Sequence, residues 1–98
     1  MAMLHIIRSS GYNNNVLAQC LNMLLPNDSI LLMDDGCYNV NHKLLLKAQL
    51  AAPELKIYFI EQHATARAQK NTAQTFSPTT LTDVVTLLFQ HDNSITWS

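Results

Sequence analysis

The chain has 98 residues, of which 48% are hydrophobic and only 13% are charged, with a formal net charge of −1 at pH 7. This length predicts a single domain over residues 1–98, with a modest hydrophobic core. The six lysines and arginines are scattered, which argues against tight direct binding of nucleic acid. The low share of charged residues instead indicates that part of the surface contacts another protein.

Neither a membrane span nor a disulfide framework is predicted. The apolar run from Met3 to Ile7 is short and interrupted by His5, which is unlike a secretory signal, and no run approaches the ~20 residues of a spanning helix. Two cysteines, Cys20 and Cys37, are too few for a disulfide scaffold. We therefore expect a cytoplasmic protein with reduced thiols.

The first half of the chain alternates short apolar runs with helical patterns. An Asn-rich turn after the first run supplies a helix cap, and Pro26 and Pro53 each end a helix. In chain order, the predicted elements are a strand over 4–7, a helix over 16–25, a strand over 29–33 and a helix over 42–52.

The second half continues this alternation. Residues 70–80 are polar and contain Pro78, so any strand within 72–80 is expected to be short and near a sheet edge. The other predicted elements are a strand over 56–61, a short polar helix over 62–69, a helix opening with a capping box at Thr80 and ending before His91, and a strand over 95–98. The buried stripe of the last helix is expected to be Leu81, Val84, Val85 and Leu88.

Continuous apolar strands that alternate with helices indicate an α/β fold. Such strands suit burial on both faces of a parallel sheet, and right-handed crossovers place helices on each side. We therefore expect a three-layer α/β/α domain with a small, mainly parallel central sheet. Ligands and chemistry in such sheets gather at the carboxyl ends of the strands, which is where Asp34, Asp35, Gly36 and Cys37 fall.

The two cysteines are the candidate persulfide carriers. Cys37 follows the second strand on a turn and so could be reachable, but Asp34 and Asp35 disfavour its thiolate, and the alternative is a surface or half-buried cysteine without a role. Cys20 lies within the apolar stripe of the first helix, which favours a buried thiol with a raised pKa.

No metal or cofactor site is predicted. The pair Asp34 and Asp35 fits a turn and helix-cap role better than a cation site, because the lysine-bearing strand end of a receiver domain is missing. The four histidines lack close metal-ligand spacing, and His5 is expected to be a satisfied core residue. Only two glycines exist, which excludes an ordinary dinucleotide fingerprint or phosphate loop.

The aromatic residue near the C-terminus has two interpretations. Trp97 either packs into the core of its own chain or anchors an interface between subunits, where tryptophan is enriched. The candidate interface residues are Trp97, His91 and Phe89.

An ordered set of short motifs resembles the DsrH/TusB sulfur-relay family over nearly the whole chain. The set comprises Leu4-His5, Ser10 with Tyr12, Asp35-Gly36 after the second strand, Lys56-Ile57-Tyr58, Ala66-Arg67, Thr82-Asp83-x-Val85-x-Leu87, His91 and Trp97. The chain departs from the family pattern at Leu81 and Val84, which are usually aromatic, at Ala68, which is usually glycine, and at the polar stretch 76–79.

The resemblance implies a subunit of a heterohexamer with TusC-like and TusD-like chains. Such a complex relays persulfide sulfur from an upstream carrier toward an enzyme that 2-thiolates the wobble uridine of tRNA, and the DsrH branch serves sulfur oxidation instead. The principal persulfide cysteine of these complexes belongs to another subunit. Cys20 matches a cysteine of DsrH-type members, whereas Cys37 has no counterpart that we can place.

Three hypotheses follow for the function. The first is a non-catalytic partner subunit with a structural and docking role, and the second is a sulfurtransferase subunit that carries persulfide on Cys37 or Cys20. The third is a small receiver-like or flavodoxin-like binding domain, which the missing glycines and lysine count against. We expect the first.

Overall fold

A computed structural model describes residues 2–70 and 76–97. In chain order its elements are β1 (Met3–Ile7), α1 (Val16–Asn22), β2 (Ser29–Leu32), a 3₁₀ helix (Asp34–Asn39), α2 (Lys43–Ala51), β3 (Lys56–Ile60), α3 (Glu61–Ala66), β4 (Ser77–Thr79), α4 (Leu81–Phe89) and β5 (Asn93–Trp97). The predicted alternation of strands and helices is confirmed.

All five strands form one parallel sheet in the order β4-β3-β2-β1-β5. The first three strands are adjacent, and the long crossover through α4 carries the chain back to the far side of β1. The short strand β4 lies at one edge, as Pro78 predicts, because a proline cannot donate a ladder hydrogen bond. The remainder of the uncertain stretch, 72–75, lies outside the described residues, as does Ser98 of the predicted last strand.

Helices cover both faces of the sheet, so the predicted three-layer α/β/α fold is confirmed. On one face α1, α2 and α3 bury a larger cluster centred on Ile7, Ile30 and Phe59. On the other face, α4 buries a smaller cluster with Leu4 and Leu31. Alternation of side chains along each strand separates the two clusters. No helix in the described ranges is long and apolar enough to cross a membrane.

The buried face of α4 differs from the predicted stripe. Val84 and Leu87 are the buried residues, whereas Leu81, Val85 and Leu88 are 49%, 54% and 40% exposed. The helix is rotated so that Leu87 packs against the sheet, which the many apolar residues of α4 permit equally well. The predicted capping role of Thr80 is confirmed, because its Oγ1 accepts a hydrogen bond from the amide of Asp83 at 3.2 Å.

The ends of the other helices are set by local hydrogen bonds. α1 is shorter than predicted, and its N-cap residue, Asn15, makes no side-chain capping bond. Oδ1 of Asn14 instead accepts from the amide of Val16 at 3.0 Å, in a local turn that precedes the helix. α3 begins one residue earlier and ends three residues sooner than predicted, at Ala66. The chain leaves α3 through Ala68, whose φ of 55° lies in the left-handed region.

Candidate functional site

The loops that follow β1, β2 and β3 are joined by polar contacts at the carboxyl ends of these strands. Arg8, directly after β1, forms an ion pair with Asp34 at 2.7 Å. The amide of Asp34 donates to Nδ1 of His63 on α3 at 3.0 Å, so the neutral ring carries its proton on Nε2. These contacts hold three consecutive strand ends together.

A second ion pair lies beside the first. Nε of Arg67 donates to the Asp35 carboxylate at 2.9 Å, and Nη1 of Arg67 also donates to the carbonyl of His63 at 3.2 Å. The Asp35 side chain is largely exposed, which limits an ion pair of this kind to about 0–1 kcal/mol of stability. The two carboxylates lie in the first turn of the 3₁₀ helix, as their predicted turn position requires. The predicted cap role is wrong, because the N-cap residue is Met33 and both carboxylates accept from arginines instead.

The 3₁₀ helix lies directly against β1, and Gly36 makes this approach possible. A Cβ atom at Gly36 would meet the backbone carbonyl oxygen of Ile7 at 1.9 Å, far inside van der Waals contact. That same carbonyl accepts a hydrogen bond from the amide of Met33 at 3.0 Å. The helix therefore folds back over the strand ends instead of extending into solvent.

Cys37 is consequently not reachable, and the prediction that it lies on an accessible turn is wrong. Its side chain is fully buried, and its Sγ lies 3.5 Å from the carbonyl of Leu32 and 3.6 Å from that of Ile60. Burial raises the pKa of the Cys37 thiol to about 11, and the two neighbouring aspartates add to the increase. A neutral thiol between two strand ends is a poor nucleophile.

Cys20 is buried in the core, as predicted. It lies on α1 with no exposed surface, within the larger cluster. Burial raises the pKa of the Cys20 thiol to about 12, with a smaller contribution from the charge of Asp28. Neither cysteine therefore offers an activated thiolate in this structure.

A chain of three hydrogen-bonded side chains links β5, β1 and the turn before β2. Nε1 of Trp97 donates to Nδ1 of His5 at 3.1 Å, which requires Nε2 of His5 to carry the proton and donate to Asp28 at 2.9 Å. Asp28 also accepts from the amides of Met3 and Leu25, both at 3.0 Å. The prediction that His5 is a satisfied core histidine is confirmed.

A cavity of about 790 Å³ lies beside this polar chain, at the amino ends of the strands. Leu21, Leu24, Asp28, Tyr58 and His91 are among its lining residues. The Asp28 carboxylate already accepts its hydrogen bonds from within the chain, so its role is structural. Among the described residues no group of three or more His, Cys, Asp or Glu side chains could hold a metal ion.

The three candidate interface residues occupy different environments. Phe89 is 85% exposed at the end of α4. Nδ1 of His91 lies 2.6 Å from the carbonyl of Leu87, near the negative end of the helix dipole. Trp97 packs on the larger core cluster and on His5, with ring centroids 6.2 Å apart, so the interpretation that it docks on its own core is supported. The role of all three in an interface stays a prediction.

An exposed apolar surface accompanies Phe89 on α4. Leu81, Val85, Leu88 and Phe89 recur at helical spacing on the side of the helix that faces away from the core. We call these four residues the α4 stripe. No charged residue belongs to the stripe, which is typical of the centre of a protein–protein interface.

The family model described as "DsrH like protein" matches residues 9–94 of the chain. The chain belongs to the DsrH family. Membership suggests a subunit of a sulfur relay, in agreement with the resemblance found in the sequence, and it places this chain in a family that generally works in complexes with other relay subunits.

Solved structures confirm the fold of this DsrH-family chain. The ychN protein from E. coli superposes with a TM-score of 0.75 at 14% identity, over 99% of this chain and 100% of that one. Protein Tm0979 from Thermotoga maritima superposes with a TM-score of 0.64 at 20% identity, over 92% and 93% of the two chains. A comparison with curated proteins gave no match.

Several residues that lie near the carboxyl ends of the strands were not predicted from the sequence. Asn39 is fully buried and pins the loop after β1, accepting from the amide of Gly11 at 2.7 Å and donating to the carbonyl of Ser9 at 3.0 Å. Arg8 and His63 likewise hold Asp34 from sequence positions 26 and 29 residues away. The only available signal was the position of Arg8 and His63 just after predicted strands.

Proposed function

We propose that this chain is a structural and docking subunit of a cytoplasmic sulfur-relay complex with TusC-like and TusD-like chains, in a heterohexamer. The complex passes persulfide sulfur from an upstream carrier toward the enzyme that 2-thiolates the wobble uridine of tRNA. This chain supplies contact surface to the complex, and another subunit carries the reactive thiol.

The burial of both sulfur atoms is the observation that supports this role. A persulfide carrier needs a thiolate that a donor persulfide can reach, whereas both thiols here have no exposed surface and raised pKa values of about 11 and 12. Exposure of Cys37 would require the 3₁₀ helix to leave β1, against its contact at Gly36 and the ion pairs of Asp34 and Asp35.

The α4 stripe is the surface that we assign to a sister chain, with Phe89 and the nearby His91 at its C-terminal end. Trp97 packs on the larger core cluster, on the other face of the sheet, so it does not belong to this surface. α4 is the single helix that covers this face within the described ranges, and Ile6 and Tyr58 of the sheet remain partly exposed beside it. A partner helix laid on this face would bury the stripe and complete the layer.

Co-purification tests the assembly. A tagged chain is expressed with the TusC-like and TusD-like chains of its own host, and the native mass of the captured material is measured. We expect a defined assembly that contains all three chains. Phe89→Ser should weaken capture at least tenfold, whereas the matched control Leu50→Ser, at an equally exposed apolar residue on α2, should leave capture unchanged. Equal capture by both variants would contradict the assignment of the stripe.

A thiol-free variant separates docking from sulfur carriage. Cys20→Ala together with Cys37→Ala should restore 2-thiouridine in the tRNA of a strain that lacks the native chain. Loss of 2-thiouridine with the complex still assembled would support the alternative, a subunit that carries persulfide itself. If the native chain supports sulfur oxidation but leaves tRNA thiolation unaffected, it instead belongs to the DsrH branch of the pathway.

A further inference from the structure

The last strand of the sheet has an open edge. β5 pairs with β1 along its whole length, from Met3 with Asn93 to Ile7 with Trp97. On its other side no strand pairs with it among residues 2–70 and 76–97. Its first four residues are exposed.

The two edges of the sheet are protected very differently. β4 is three residues long and contains Pro78, and both features hinder the pairing of an edge strand with another chain. β5 has five residues, Asn93-Ser94-Ile95-Thr96-Trp97, with neither a proline nor a charged side chain. An edge without these features is a template for a further strand.

The register fixes which peptide groups face outward. The amide of Arg8 donates to the carbonyl of Trp97 at 3.0 Å, so the peptide groups of Trp97 face β1. Since the direction alternates along a parallel ladder, those of Asn93 and Ile95 also face β1, and those of Ser94 and Thr96 face away from the sheet. An extended backbone is the partner that matches such alternating donors and acceptors.

We propose that β5 pairs antiparallel with β5 of a second copy of this chain, joining the two sheets into one. Ser94 lies opposite Thr96 of the other copy, and each such pair exchanges both of its backbone hydrogen bonds. Ile95 then lies opposite its own counterpart on the two-fold axis. This register uses every outward peptide group of the strand.

Self-complementarity favours a second copy over other strands. The strand carries no charge, so like charges do not meet across the axis, and the 40% exposed side chain of Ile95 becomes covered by its counterpart. A head-to-tail arrangement would instead seat β5 on the β4 edge, where Pro78 and the short strand leave few donors. The pairing therefore closes as a dimer. It does not depend on the partner chains proposed above.

Proline substitution at an outward-facing amide tests the pairing in the full chain. Thr96→Pro removes a donor to the second copy without removing one to β1, whereas Thr96→Val keeps that donor. Analytical ultracentrifugation should find a dimer for the native chain and for Thr96→Val, and a monomer for Thr96→Pro with the circular dichroism of the native fold.

Cross-linking tests the register even if the proline variant fails to fold. In a non-hydrogen-bonded antiparallel pair the Cα atoms lie about 4.5 Å apart, within the range for a disulfide. Ile95→Cys should therefore form a covalent dimer under mild oxidation. Asn93→Cys, whose copies would lie roughly 13 Å apart along the strands, should not.

Three outcomes would overturn the proposal. A native chain that stays monomeric at millimolar concentration has no such pairing. A dimer that persists in folded Thr96→Pro, or one that Phe89→Ser abolishes, is built on another surface. Each result leaves the co-purification experiment intact, because that experiment measures capture of other chains.

Discussion

Replacing Ala68 with glycine should stabilise the protein. Ala68 follows α3 with a φ of 55°, in the left-handed region that favours glycine. Its amide donates to the carbonyl of Thr65 at 3.0 Å, and the amide of Gln69 donates to the carbonyl of Ala64 at 2.9 Å. This pair of bonds is the helix-ending motif in which glycine usually occupies the position of Ala68.

The magnitude follows from two opposing contributions. A residue with a Cβ in the left-handed conformation costs about 1–2 kcal/mol. Glycine offsets about 0.4–1 kcal/mol of the relief from this strain, because it raises the conformational entropy of the unfolded chain. The free energy of unfolding of Ala68→Gly should therefore rise by about 0.5–1 kcal/mol, which corresponds to a few degrees in Tm.

Urea unfolding followed by circular dichroism measures this change, with the slope m checked for constancy. The matched control is Ala66→Gly, two residues earlier and still within α3, which should lose about 0.5–1 kcal/mol. Opposite signs for the two variants are the expected result. An Ala68→Gly protein that is no more stable than the native one would refute the conclusion that this residue is strained.

Three further predictions concern buried contacts. Gly36→Ala should lower the free energy of unfolding by about 2–4 kcal/mol in urea, because its Cβ would overlap the Ile7 carbonyl, and a loss below about 0.5 kcal/mol would contradict that contact. Trp97→Phe should cost about 1–3 kcal/mol in the same assay, since Nδ1 of His5 loses its donor, and an unchanged midpoint would exclude this hydrogen bond. Burial raises the pKa of Asp28, but hydrogen bonds from His5 and two amides outweigh it and lower the pKa below its usual value. Its stabilisation should therefore be full above about pH 4 and be lost as pH falls through the folded pKa, and acid titration of Asp28→Asn should lack this part of the dependence.

The central strands and the fold class could be predicted because these strands are largely continuous apolar runs, unlike the polar edge strands β4 and β5. Burial on both faces of a parallel sheet leaves this pattern directly in the sequence, as in Ile30-Leu31-Leu32 of β2. The orientation of α4 could not be predicted in the same way. Most of its nine residues are apolar, so more than one face satisfies helical periodicity, and packing against Leu4 and Leu31 selects one of them.

The sequence predicted where the candidate site lies, but it did not predict whether Cys37 is exposed. The sequence pointed to the carboxyl end of β2, and the polar contacts of Asp34 and Asp35 do lie there. Whether Cys37 is exposed depends on the contact between Gly36 and Ile7, which are distant in sequence and meet only once the sheet has formed. Local pattern carries no information about such a contact.

The position of β1 between β2 and β5 has a consequence for the order of folding. The bond between His5 and Trp97 joins residues 92 positions apart, so the sheet closes through one of the longest loops that this chain can form. Until β5 docks, the apolar strand Met3–Ile7 is itself an open edge. High contact order slows the docking of β5, and until it docks the partly folded chain exposes an aggregation-prone strand edge. Aggregation during refolding should therefore be governed by the time that β5 needs to reach β1.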